Sequence, residues 1–390
     1  MPTSQAKPIA TAKKMSLTTA KKIKFKGKAS GVAVTKGRAA LQKKFDAMGG
    51  AGRFGAPAPA SLTARVWDFG TQCLVYNSER NEAFHIMGAI YAKWKELGAK
   101  WVPETDELTT PDGAGRYNHF DDGASIYWSP STGAAAIWGD IRRRWAELGW
   151  ERSYLGYPTS DEGDIDEGGR ANSFQHGWIY WWGDTGAIDL RDVVVTYVGM
   201  RAYSESDQDQ SSGSDEPYML LSVIAPKKDV VTFRSKTYEG VDDRTVRADR
   251  IELYRGPAYG LTLGVVGMEH DFGSEEGNRK AVEQLVMTNH EVGKFLLQFI
   301  PLVGPIISKI AGPALDKVMP KLASGIAALL DLQDDLIGSD QIALSTKRLV
   351  TLATRGSVYK AEKILPYKLE SALLKAGGAE YKALFTVDPA

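Results

Sequence analysis

Carboxylates crowd three loops in the second half of the chain. Asp215 and Glu216 end a Ser- and Asp-rich stretch, Asp242 precedes Asp243, and Asp271 follows Glu269. Such loops at the ends of neighbouring strands could assemble a calcium site, which takes about six to eight hard oxygen ligands. The chain lacks the D-x-[DN]-x-[DN]-G calcium loop. The preferred reading is that these acids keep the domain soluble; if calcium is a cofactor, its ligands are Asp215, Glu216, Asp242 and Asp271. Nucleophilic and acid–base chemistry find less support. The lone Cys73 sits in an apolar strand, and His85, His119, His176, His270 and His290 are scattered. There is no P-loop, H-E-x-x-H or G-x-S-x-G motif. Gly50-x-Gly52-x-x-Gly55 spells a dinucleotide fingerprint, but it follows a helical pattern, and Pro57 and Pro59 block the helix it requires. The expectation is a binding protein and not an enzyme.

Aromatic residues offer the other candidate chemistry. All ten tryptophans lie between Trp67 and Trp182. Trp94, Trp145, Tyr127 and Tyr180 recur at equivalent places and read as core. The non-recurring Trp101, Trp150, Trp178 and Trp182, together with Tyr157, are candidate flat platforms for sugar rings. Asp121, Asp122, Asp161 and Glu162 would rim them and suit a hydroxyl-rich ligand.

These residues belong to a pattern that occurs three times. Gly37, Gly88 and Gly139 are 51 residues apart. An aromatic and a hydrophobic-Gly pair follow each: Phe45 with Met48-Gly49, Trp94 with Leu97-Gly98, Trp145 with Leu148-Gly149. A strand-like hairpin then carries Phe69, Phe120 or Phe174 and Tyr76, Tyr127 or Tyr180. A fixed period of this size marks one supersecondary unit used repeatedly. Glycine is expected where the chain leaves each helix, because a left-handed residue there costs little without a Cβ. The third copy holds Leu155-Gly156-Tyr157-Pro158, Phe174, Gly177 and Ile179-Tyr180-Trp181. In these residues it resembles the LGFP repeat family. The second copy keeps Trp94, Phe120, Gly123 and Ile126-Tyr127-Trp128 but shortens the loop to Trp101-Val102-Pro103. The first is the most divergent, with Phe54-Gly55-Ala56-Pro57 in the loop. The resemblance implies a secreted or envelope-associated bacterial protein tethered to cell-wall or surface polysaccharide.

The remaining chain sets further expectations. Net charge is zero over 390 residues, yet residues 1–44 hold twelve Lys or Arg and no acid. This leader lacks the apolar core of a secretory signal and the aromatics of a nucleic-acid site, so no specific nucleic acid is expected. It reads as a disordered tag that docks an export or injection apparatus, with cytoplasmic storage before export as one route. One Cys excludes an internal disulfide. Short β-branched runs at 193–198, 218–224, 230–235, 250–254 and 261–266 predict strands, and a helix is expected near Pro366–Leu374. The uncharged run Phe295–Ser308 is 14 residues long, short of the roughly 20 that span a bilayer. It reads as a buried helical hairpin. The alternative is a membrane-active effector or pore-forming toxin that inserts Phe295, Phe299, Leu302 and Ile306 after the repeats dock, making the membrane a second partner.

The expected class is α+β: three tandem helix-plus-β-hairpin repeats followed by a β-sandwich-like domain with a helical insertion. The domains would be a leader at 1–36, repeats at 37–190, and a C-terminal β domain at 191–390 with a helical hairpin at about 274–337.

Overall fold

The computed structural model describes residues 31–390 apart from 56–62, 206–214, 227, 229 and 271–334. Asp271 and the apolar candidates Phe295, Phe299, Leu302 and Ile306 lie outside the described residues, as does the expected leader up to residue 30. The last six leader residues already belong to a helix. The fold is mixed and mostly β. Among the described residues no helix is long and apolar enough to cross a membrane.

The chain divides between Asp106 and Glu107 into two compact units. In the first, helices α1 (Gly31–Ala47) and α2 (Gly50–Phe54) precede an antiparallel sheet of β1 (Val66–Asp68), β2 (Gln72–Asn77) and β3 (Glu82–Met87), and α3 (Gly88–Glu96) follows. Leu41, Phe54, Trp67 and Leu74 close its core. The Phe45 and Phe69 rings stack 5.8 Å apart at its edge. Gly88 opens α3, whereas Gly37 sits in the middle of α1, so these two glycines are not structural equivalents. The hydrophobic-Gly pairs are equivalent. Gly49, Gly98 and Gly149 leave their helices with φ of 103°, 76° and 101°, the left-handed exit that glycine makes at little cost. Beyond α3 the chain folds back. Trp101 O accepts from Trp94 Nε1 at 2.8 Å, and Asp106 Oδ1 accepts from the His85 N–H of edge strand β3 at 2.9 Å.

The second unit opens with strands β4 (Leu108–Thr109), β5 (Arg116–Phe120), β6 (Ala124–Ser129) and β7 (Gly133–Trp138), paired in sequence order. Helix α4 (Gly139–Leu148) leads to a second such sheet: β8 (Gly163–Asp164), β9 (Arg170–Phe174), β10 (Gly177–Trp182) and β11 (Gly186–Leu190). The chain then enters β12 (Val193–Ser204), β13 (Pro217–Ile224), β14 (Val231–Arg234), β15 (Val246–Gly256), β16 (Leu261–Glu269) and β17 (Asp335–Leu344). Helix α5 (Thr346–Arg355) precedes β18 (Tyr359–Ala361), β19 (Leu365–Tyr367), β20 (Leu369–Glu370), β21 (Leu374–Ala376) and β22 (Ala379–Pro389). Two antiparallel sheets result, in the orders β15-β12-β22-β20 and β14-β13-β16-β17. Val195, Tyr197, Phe385 and Val387 of one share a core with Leu221, Val223, Leu263 and Val265 of the other.

Two boundaries differ from expectation. Asp335–Ile337 is strand and not the end of a helical hairpin, because it pairs with the end of β16. Residues 366–374 are strand and turn and not helix, since Leu369 pairs with Phe385 and Leu374 with Tyr381. Sheet pairing overrides the local pattern there.

The same core takes in Trp178, Tyr180, Trp182, Ile188 and Leu190 of the preceding small sheet. Asp166 Oδ2 accepts the Thr346 N–H at the start of α5 at 2.7 Å, and Lys347 pairs with Asp184 at 2.9 Å. Compaction therefore divides the chain inside the repeat array and not at its end.

Gly199 sits where the register of β12 shifts against both β15 and β22. Its φ is 139°, and an added Cβ would lie 2.1 Å from Arg247 O. Gly199→Ala should therefore destabilise the protein by about 1–3 kcal/mol. Urea denaturation checks this, and an unchanged midpoint would show that the bulge relaxes.

Candidate functional site

Helix α4 is the element on which two repeats meet. Ile141 and Trp145 are buried along it, and Trp145 is fully enclosed. The Trp145 ring meets Tyr127 of β6 edge-on at 4.7 Å and Phe174 of β9 at 5.5 Å. Leu155, Tyr157, Ile137 and Ile179 complete this core, so one helix closes a sheet on either side of it.

The Leu155–Pro158 loop extends the third-repeat sheet. Pro158 bridges Phe174, and His176 N donates to Leu155 O at 3.0 Å. Tyr157 crosses to the neighbouring repeat, where its hydroxyl donates to Asp112 Oδ1 at 2.6 Å and lies 2.9 Å from Thr110 Oγ1. Gly115 makes room for it: a Cβ there would come within 2.7 Å of the Tyr157 ring. Burial works against ionisation of Asp112. The Tyr157 and Thr110 hydroxyls, the Ala114 N–H and the Arg152 charge outweigh it and hold the carboxyl below the usual range. Asp161 Oδ1 accepts the Ala136 N–H of edge strand β7 at 2.8 Å, and Asn172 Nδ2 donates to Ala136 O at 3.2 Å. Asp106 on His85 and Asp161 on Ala136 are the same device used twice: a loop carboxylate covers an exposed strand edge.

Beside this seam the chain leaves α4 in an unusual way. Trp150 follows the glycine cap and is itself left-handed, with φ of 60°. The matching positions in the earlier copies, Gly50 and Ala99, are left-handed too, at 55° and 51°. For a bulky side chain this geometry costs on the order of 1–2 kcal/mol. The half-buried Trp150 ring stacks on Tyr127 with centroids 6.0 Å apart and carries the Arg142 guanidinium 5.1 Å away. Arg142 Nε donates to Ser125 Oγ at 2.6 Å, and His119 Nδ1 lies 2.7 Å from the same oxygen. His119 also packs on Tyr117 at 4.8 Å.

The next residue, Glu151, is only 6% exposed, and among the described residues neither carboxylate oxygen has a well-formed hydrogen bond, the Glu151 and Asp112 N–H groups being the nearest donors. Burial, with the Asp112 charge, raises its pKa against the pull of nearby N–H groups and Arg152. Sequence reasoning missed Glu151, His119, Arg142 and Ser125. The one available signal was an acid wedged between Trp150 and Arg152 just after a helix-ending glycine.

The expected platforms sit differently. Trp101, Trp178, Trp182 and Tyr157 are all buried and offer no outward face. Trp178 packs edge-on against Tyr259 at 5.1 Å, and Trp182 Nε1 donates to Asp166 O at 3.0 Å. Trp178 and Trp182 do not recur because they belong to the core that the last repeat shares with the C-terminal sheets. Trp94, Trp145, Tyr127 and Tyr180 are core, as their recurrence suggested.

The carboxylate loops are likewise engaged within the protein. Asp215 is buried and accepts the Tyr381 hydroxyl, the Glu216 N–H donates to Glu269, and Asp242 is exposed. Among the described residues no three His, Cys, Asp or Glu side chains converge on a metal position. Burial pushes the Cys73 thiol far up, away from the reactive thiolate. A separate cleft of about 520 Å³ lies over the outer face of β12 and β22, between Val194, Thr196, Glu252, Thr386 and Asp388.

The LGFP repeat family matches residues 102–153 and 155–196. The chain carries LGFP repeats. The first copy and the C-terminal domain lie outside the match, and no curated protein matches the chain. The first LGFP match runs loop, sheet, helix, and ends just past α4. The second has its loop and sheet but runs into β12 where a helix would stand.

A carboxyl whose folded pKa is raised favours folding while protonated. That contribution is present below its ordinary value and is lost as pH rises through the folded value. Glu151→Gln should therefore raise the thermal midpoint at neutral pH, and the gain should vanish below the ordinary glutamate value of 4.5. A midpoint that falls at neutral pH would mean that the ionised carboxylate is stabilising.

Proposed function

We propose that this is a non-enzymatic binding protein whose LGFP repeats hold it to a cell-wall or surface polysaccharide, outside the cell or at its envelope. The repeat match is consistent with a surface- or wall-associated protein. The reading rests on the strained Trp150 beside Glu151, whose two buried acceptors have no well-formed hydrogen bond among the described residues. Backbone strain and unpaired polar groups concentrate where a ligand completes the structure. Beside Trp150 stand the Tyr117 and Tyr127 rings and the polar side chains of His119 and Arg142, which are bonded to Ser125 and to each other, a mixture suited to a hydroxylated ring.

The full chain is the right reagent for a test. Cutting after residue 190 would uncover Trp178, Tyr180 and Trp182, which the C-terminal sheets bury. Incubated with insoluble bacterial cell walls, the protein should pellet saturably. Trp150→Gly removes the ring while suiting the left-handed backbone, and should weaken pelleting on the order of tenfold with the fold intact. Unchanged pelleting would move the site away from the seam. Absence of pelleting by the parent protein would end the polysaccharide reading.

A further inference from the structure

The three most exposed large hydrophobic side chains among the described residues lie together on one hairpin. Ile364 is 75% exposed, Val358 59% and Tyr359 55%. Strands β18 and β19 form this two-stranded ribbon, pairing Tyr359 with Tyr367 and Ala361 with Leu365. Its turn end is fixed to the body of the domain, while Val358 and Tyr359 lie at the opposite, open end. Ala361 is fully buried, and a Cβ on Gly199 of β12 would come within 3.0 Å of Leu365 Cδ2. Its tip is a tight turn closed by the Ile364 N–H on Ala361 O at 2.9 Å. Glu362 and Lys363 occupy the turn with φ of 44° and 63°, positions that Asn and Gly ordinarily take. The turn thus holds Ile364 outward at a conformational cost that no packing of Ile364 offsets.

The one acid of the turn is neutralised by a neighbour. Glu362 is tied to Arg201 at 2.8 Å. Lys360 and Lys363 are exposed, and neither forms an ion pair among the described residues. What remains is a narrow ribbon with Ile364 exposed at its turn, Tyr359 and Val358 exposed at its open end, and two exposed lysines. Tyrosine favours the headgroup level of a bilayer, and lysine stems lie along apolar surface with the ammonium in the polar layer. A stable protein interface buries roughly 800 Å² per partner, far more than three side chains on a narrow ribbon present. A lipid interface needs no matching shape.

We propose that the ribbon formed by residues 358–367 is a membrane-surface contact that lies along an anionic bilayer, with Ile364, Tyr359 and Val358 in the interface and Lys360 and Lys363 on the headgroups. The contact is peripheral and involves no spanning segment. It is independent of the repeats.

The full chain is titrated with phosphatidylcholine vesicles, with and without phosphatidylglycerol. The protein should co-sediment preferentially with the anionic vesicles. Ile364→Asp should lower that affinity about tenfold or more, the scale expected for losing one buried apolar side chain. Both Ile364→Asp and Lys360→Glu/Lys363→Glu change exposed positions, so the fold should hold. Because Cys73 is buried, an Ile364→Cys variant can carry an environment-sensitive dye at the tip alone. Its emission should shift to the blue on anionic vesicles. Parent-like affinity of Ile364→Asp, or an unshifted dye on vesicles that pellet the protein, would overturn the proposal by placing lipid contact elsewhere. A blue shift without vesicles that grows with protein concentration would overturn it in favour of self-association.

Discussion

A four-stranded sheet whose strands run to six residues at most has two faces and too little area to bury either by itself, so each must be covered by something else. Between the two matched repeats that constraint is met by one side chain above all. Trp145 stands on a helix of ten residues and touches the sheet before it through Tyr127 and the sheet after it through Phe174. Everything at the seam depends on that shared burial. The helix must stop abruptly to return the chain to the next sheet, hence Gly149. The return loop must reach back, hence Tyr157 in the Thr110–Asp112 corner and Asp161 on the edge of β7. Trp150 and Glu151 are placed by the same sharp exit.

The recurring features could be read from the chain because a repeated packing problem repeats its solution in type and spacing. The glycine caps, the aromatic core positions and the strands of the C-terminal domain were all expected. Reading failed where a residue answers to a partner that occurs once. Trp178 and Trp182 look like spare aromatics when compared with the other copies, yet they are core to the last repeat alone, because a different domain covers it. Gly37 shares the 51-residue spacing without sharing the role of Gly88. Residues 366–374 carry a helical pattern but are drawn into a sheet by β22. The cluster at Trp150 was invisible for a further reason: His119, Ser125, Arg142 and Trp150 come from a strand pair, a helix and a turn, and nothing in sequence distance places them together.

The two matched repeats are not equal partners. One finishes in a helix and offers a face that another sheet can cover, while the other finishes in a strand already committed to the C-terminal core. The array therefore has a polarity of growth. A complete loop–sheet–helix module inserted ahead of Leu155 would find a compatible surface on both sides, as in any solenoid. The same module placed after Leu190 would have to displace β12 and the hydrophobic core built on it. A designed change in repeat number would thus be confined to one side of the last repeat, with the C-terminal domain as the end stop from which counting begins.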